Sequence, residues 1–238
     1  MCTVALILRP AHPWPVMLAA NRDEMLDRAW DKPGPWWPER PGVVAGRDRT
    51  AGGTWMGVNR HGLLAAVLNR PGSLGPAAGK RSRGELPLLA LAQPGLAAAV
   101  AAVAALDARA WRGFNLVLAD RSGAVVLRGT GHSHPEQLAL APGVHMVTAH
   151  DPDDAASPRV ARHLPRLIAA TPPDADDWAG WGAVMADRAG SAAEQINVTP
   201  RGGFGTVCAA RAAIGADAAV AWWFAAGPPD AAAFVPVA

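Results

Sequence analysis

The sequence predicts a layered α+β fold in one domain covering residues 1–238, and three observations carry that expectation. Apolar, β-branched runs dominate the first 70 residues and return near 114–150 and 205–225. Helix-prone, Ala-rich segments fall between those blocks. The resulting order of strands, helices, strands, helices, strands lacks the regular alternation of a doubly wound sheet.

The elements follow from local chemistry. TVALILR opens as a strand that Pro10 ends, and VMLAA (16–20) is a second one. The intervening RPAHPWP, with three prolines, fits a tight connection between paired strands. GVVAG (42–46), TWMGV (54–58) and LLAAVL (63–68) are further strands, the last two joined by a hairpin turn at Asn59–Gly62. Over 84–107 the composition favours helix, with Pro94-Gly95 dividing it in two. FNLVLAD (114–120) and AVVLRG (124–129) read as a hairpin, and VHMVTAH (144–150) as another strand. SPRVARHLPRLIAA (157–170) is an amphipathic helix with Ser157 as N-cap and Pro158 in its first turn. DADDWAGWGAVMADRAG (174–190) is a further helix, its acidic start matching the helix dipole. GTVCAARAAI and AAVAWWFAA close the chain as strands.

Composition excludes several partners. Half the residues are hydrophobic, enough for a substantial core, and the net charge is only +2. The densest basic run, GKRSRGE, reads as a solvated loop, so nucleic acid is not an implied partner. The longest apolar stretch is broken by Pro94-Gly95, which argues against membrane insertion. The start of the chain lacks signal-peptide features, and its two cysteines, Cys2 and Cys208, read as free thiols. A cytoplasmic location is the expectation. Ten Trp and no Tyr are present, and the Trp cluster in the first third reads mainly as packing.

Three places carry candidate chemistry. If Met1 is removed, Cys2 combines a thiol with a free α-amine, which titrates near pH ~7.7–8.0 and can deprotonate the thiol. On position alone Cys2 also reads as a small apolar residue opening a buried strand. Asn21, Arg22, Asp23 and Glu24 follow the apolar run VMLAA; they mark either a polar site at a strand end or a solvated turn. Asn69 ends LLAAVL before Arg-Pro-Gly, where its amide can donate to a developing oxyanion or simply cap a turn.

Together the segments CTVALILR, LAANRDEM, GRDRTAGGTWMGVN, GLLAAVLNRPG, RSRGELPLLAL and RGFNLVLAD resemble the NRDE family, also called the transport and Golgi organisation 2 family. The initial Cys, Asn-x-Asp near position 20 and MGVNRHGLLAAVLNRPG are similar more broadly to the choloylglycine-hydrolase and penicillin V acylase branch of the N-terminal-nucleophile (Ntn) hydrolases. That resemblance implies a four-layer αββα sandwich with two antiparallel sheets between helical layers. It implies Cys2 as nucleophile, Asp23 as the carboxylate that orients it and Asn69 as oxyanion donor. His150 stands where that branch carries a second Asn, and a histidine can still donate a hydrogen bond. The branch has an Arg just before Asn-x-Asp, where this chain has Ala20 and carries Arg22 instead. Asn21, Arg22 and Arg211 are the expected substrate-binding residues.

The implied activity is hydrolysis of a C–N amide, or a thioester, in a small acylated metabolite, with no cofactor required. The alternative implied by the same family is a carrier linked to haem or lipid trafficking, with Cys2 or a histidine as axial haem ligand. No metal site is expected, since neither cysteine has a helix-spaced histidine partner.

Overall fold

The computed structural model describes residues 2–237 and builds two antiparallel sheets. The first contains β1 (Thr3–Leu8), β2 (Val16–Met25), β10 (Gly143–Val147), β11 (Phe204–Ile214), β12 (Val220–Ala225) and β13 (Val235–Pro236), in the order β10-β1-β2-β11-β12-β13. The second runs in chain order through β3 (Trp30–Gly34), β4 (Val43–Asp48), β5 (Met56–Asn59), β6 (Leu64–Asn69), β7 (Phe114–Asp120), β8 (Gly123–Gly129) and β9 (Glu136–Ala139).

Side-chain alternation sorts the core into three layers. Val4, Leu6 and Leu8 of β1 and Val16 and Leu18 of β2 meet Met56, Leu64, Ala66, Leu68 and Val117 between the sheets. The alternate residues Ala5, Ile7, Met17 and Ala19 face outward onto α3 (Pro158–Ala169) and α4 (Ala179–Met185). On the far side, Leu63, Ala65, Leu116 and Leu118 pack under α1 (Glu85–Leu91) and α2 (Leu96–Ala104). Because β1 is covered on both faces, its sequence is a continuous apolar run with no polar alternation. The four-layer αββα architecture is therefore present.

Local expectations hold at several points. The Ser157 hydroxyl accepts the Val160 N–H at the start of α3, and Pro94-Gly95 separates α1 from α2. Four expectations are corrected. β2 does not end at Ala20 but continues through Asn21–Glu24 to Met25, paired on both sides by β1 and β11. The strand over 144–150 stops at Val147, because the Thr148 and His150 carbonyls turn away to accept from Asn115 Nδ2, at 2.9 and 2.7 Å. The helix over 174–190 shrinks to α4, since Asp174 and Asp177 bond each other's main chain in a turn that precedes it. Arg83, in the basic run read as solvated, turns inward and donates to the Ser73 carbonyl at 2.6 Å.

The bend after β10 is held by His145, whose Nδ1 lies 2.6 Å from Asp153 and whose Nε2 lies 2.8 Å from the Ala141 carbonyl. The Asp153 hydrogen bond raises the His145 pKa above its ordinary value, against a smaller opposing effect of burial. A folded-state pKa above the unfolded one means this contribution is complete below pH ~6.5 and is lost as pH rises through the raised folded value. The expected result is a wild-type unfolding midpoint that falls across that window, and a flatter pH profile for His145→Gln. Equal slopes in a denaturant titration series would refute the linkage.

Candidate functional site

The tetrapeptide at 21–24 is a stretch of β2, so alternate side chains leave the sheet on opposite faces. Asn21 and Asp23 face the α3/α4 layer, and Arg22 faces the space between the sheets. This division organises the site.

On the helix side Asp23 is buried, and partners from distant elements hold its carboxylate. Thr206 Oγ1 of β11 donates to Oδ1 at 2.7 Å, and Arg159 Nη1 of α3 donates to Oδ2 at 3.0 Å. The same Arg159 nitrogen reaches Thr3 Oγ1 at 2.9 Å, so α3 clamps β1 and β2 together beside Cys2. Asn21 spends its amide N–H groups on the carbonyls of Met185 and Ile196, both at 2.9 Å. Its side chain therefore ties β2 to the α4 layer.

On the inter-sheet side Cys2 opens a narrow cleft. Val4, Ala20, Met56, Leu68 and Phe224 line it, with Arg22, Trp55 and Cys208. Its empty volume is about 340 Å³, including the open mouth. The half-buried Cys2 thiol donates to the Asp23 main-chain carbonyl at 3.7 Å. Burial pushes the thiol above its ordinary pKa and the Asp23 charge adds to this, while the Asp23 carbonyl contact and the Arg22 charge oppose it. Cys208 is fully enclosed, and burial raises its thiol to about 12. A bulge in β11 between Thr206 and Cys208 lets Thr206 pair with Asp23 while Cys208 still pairs with Arg22. Bulges re-aim side chains in this way near many sites.

The Arg22 guanidinium lies 4.2 Å over the Trp55 ring, and Trp30 packs edge-on against both Trp55 and Phe224. Arg22 Nη2 stands 3.6 Å from Asp48 and 3.7 Å from Glu24. Gly46 permits this wall, since a Cβ there would come within 2.3 Å of the Trp55 ring. Two Gly-containing motifs also cross behind it: Thr54 N–H donates to the Gly84 carbonyl at 3.0 Å, and a Cβ on Gly53 would sit 2.5 Å from the Gly84 carbonyl carbon. Backbone cannot give way as a flexible side chain can. Gly53→Ala is expected to destabilise the protein by about 1–3 kcal/mol, as overpacking does, read as a lower midpoint in urea unfolding.

The remaining expected residues are placed less centrally. Asn69 closes β6 opposite Phe114, one residue beyond the cleft-lining Leu68, and its amide makes no hydrogen bond among the described residues. Register turns it with Phe114 toward the α1/α2 side, so it meets Cys2 only around the end of the sheet. His150 lies just past the β1–β10 ladder at its Cys2 end, with a buried Nδ1 that has no hydrogen-bond partner. Arg211 pairs with Ala19 well along β11 and packs its guanidinium 3.8 Å over Phe234 and 5.8 Å from Trp178.

The sequence reading missed Arg159 and Thr206, because these partners of the Asp23 carboxylate lie more than 130 residues away, and Thr3, which is linked through Arg159. It also missed Arg83, which lies close enough to Cys2 and Glu24 for their charges to act on it, although burial dominates and lowers its pKa. Among the described residues, no three His, Cys, Asp or Glu side chains converge as a metal site would require. No helix of the structure is long and apolar enough to cross a membrane.

Known proteins resemble this arrangement in fold and sequence. A Caenorhabditis elegans N-acylethanolamine-hydrolysing acid amidase ortholog superposes with a TM-score of 0.61 at 12% identity, covering 88% of this chain and 92% of that one. Penicillin V acylase from Agrobacterium tumefaciens gives 0.53 at 17% identity, covering 94% and 83%. At such identities the likeness concerns the fold, which is that of Ntn-type hydrolases. The Transport and Golgi organization 2 homolog of Mus musculus is 32% identical over 138 residues, and the Homo sapiens homolog 31% over the same length. Each match covers 55% of this chain and 49% of the relative, so the chain spans about half the length of the curated relatives it matches. The family profile named Transport and Golgi organisation 2 matches residues 1–174, and the chain belongs to that family.

Proposed function

We propose that this protein is an Ntn-type cysteine hydrolase that cleaves a C–N amide, or a thioester, in a small acylated metabolite. The observation that carries the reading is the Cys2 thiol at the mouth of an apolar cleft between the sheets, held against Asp23. The acyl-amide class takes its direction from the two proteins of like fold, one named for hydrolysing N-acylethanolamines and one named as a penicillin acylase.

The chemistry begins with removal of Met1, a step that lies outside the described residues. The freed α-amine of Cys2 takes the thiol proton, which offsets the cost that burial imposes on the thiolate. Sγ then adds to the substrate carbonyl carbon. The tetrahedral intermediate collapses, the amine or thiol leaves with the proton, and water hydrolyses the acyl-cysteine. Asp23 acts through the main chain. Its carboxylate is pinned by Arg159 and Thr206, and its carbonyl faces the thiol. Asn69 at the end of β6 is the donor that the family resemblance supplies for the oxyanion, although register turns its side chain to the α1/α2 face of the sheet.

The test is the intact mass of purified protein before and after iodoacetamide at neutral pH. Loss of Met1 together with one rapid label on Cys2 is the expected result. Cys208, with its thiol raised to about 12, stays silent. Retained Met1, or a Cys2 that labels no faster than an ordinary thiol, removes the nucleophile mechanism. Weight then moves to a carrier, and a haem titration followed at the Soret band becomes the next measurement.

A further inference from the structure

Arg22 is only 5% exposed, yet its Nη1 is enclosed without a hydrogen-bond partner among the described residues. Leaving a buried charged donor unmade costs the full desolvation of that group, so its position calls for an acceptor. Around it Nη2 stands at ion-pair distance from Asp48 and Glu24, the plane stacks on Trp55, and the guanidinium also acts on the neighbouring Cys208 thiol. These contacts fix the fork, and Arg22 lines the same cleft as Cys2. Arg22 shares its face with Ala20, the position where the acylase branch carries its own arginine, because residues two apart on a strand point the same way.

We propose that Arg22 Nη1 is an oxyanion donor for the reaction at Cys2. This rests on the hydrolase reading above. As the Cys2 Sγ–carbon bond forms, the carbonyl π pair moves onto oxygen, and Arg22 Nη1 donates to that oxygen. On collapse the pair returns and the carbon–nitrogen bond breaks, with the proton leaving on the amine. Unlike Asn69, Arg22 already faces the cleft.

The probe is 4-nitrophenyl butanoate, whose carbonyl Cys2 attacks through a tetrahedral oxyanion, releasing 4-nitrophenolate as the acyl-cysteine forms. The acylation rate is read from the nitrophenolate absorbance, in protein beginning at Cys2. Arg22→Lys is expected to acylate about tenfold or more slowly than wild type, within the range for removing one oxyanion donor. Alkylation of Cys2 by iodoacetamide, a displacement that forms no oxyanion, is expected to change little in Arg22→Lys. A folded Arg22→Lys with the wild-type acylation rate overturns the assignment and leaves the hydrolase reading intact. Absence of acylation in the wild type takes both down. If Arg22 variants fail to fold, 15N-arginine NMR of the wild type decides. A shift of the Arg22 Nη resonance on acylation that Cys2→Ala abolishes supports the role, and no shift overturns it.

Discussion

Arg159→Met is expected to lower the unfolding free energy by about 3–5 kcal/mol, the range for breaking a buried ion pair from one side. The Arg159 and Asp23 side chains are 4% and 0% exposed, so water cannot replace the missing partner. The loss exceeds that of a surface bridge because the carboxylate would keep its desolvation cost without the guanidinium that offsets it. Thr206 would remain on Oδ1, and Thr3 would lose its link to α3. Urea unfolding followed by tryptophan fluorescence measures the effect. Asp23→Ala combined with Arg159→Met should cost less than the sum of the two single changes, since the double variant strands no charge. Additive losses would show that the pair does not act as a unit.

Cys2→Ala should abolish turnover of any acyl amide that the wild type hydrolyses, by on the order of 10³-fold or more, as removal of a catalytic nucleophile does. The change is small in volume at a half-buried position, so the fold is expected to persist, and a thermal melt checks this. A variant that retains Met1 should be as inactive as Cys2→Ala, because it keeps the thiol but lacks the free α-amine beside it. That pair of results separates the two halves of the mechanism. Residual turnover in Cys2→Ala within tenfold of wild type would place the chemistry elsewhere.

The central strands were legible because each is covered on both faces or alternates against one core, as in TVALIL and FNLVLAD. The strands that escaped are β3, β9 and β13, all at sheet edges. WDKPG contains Pro33, and Val235–Pro236 is two residues long, so neither carries an apolar pattern to read. Cys2, Arg22 and Asp23 drew attention because they cluster near the start of the chain in a specific motif. Their faces were not legible, since four polar residues in a row look like a turn until strands on both sides supply partners. Arg211 was chosen for its place late in the chain, and only the β2–β11 register shows that it stands opposite Ala19 and not beside Asp23.

The position of β2 in the sheet also has a bearing on synthesis. Its neighbours are β1, made just before it, and β11, which begins at Phe204. A ribosome adding about 5–20 residues per second needs roughly 9–36 s to pass from Met25 to Phe204. Throughout that interval β2 has an open flank, and Asp23 awaits Thr206. The flank that the late strand covers carries Asn21, Arg22 and Asp23, so the cleft beside Cys2 is assembled only near the end of synthesis.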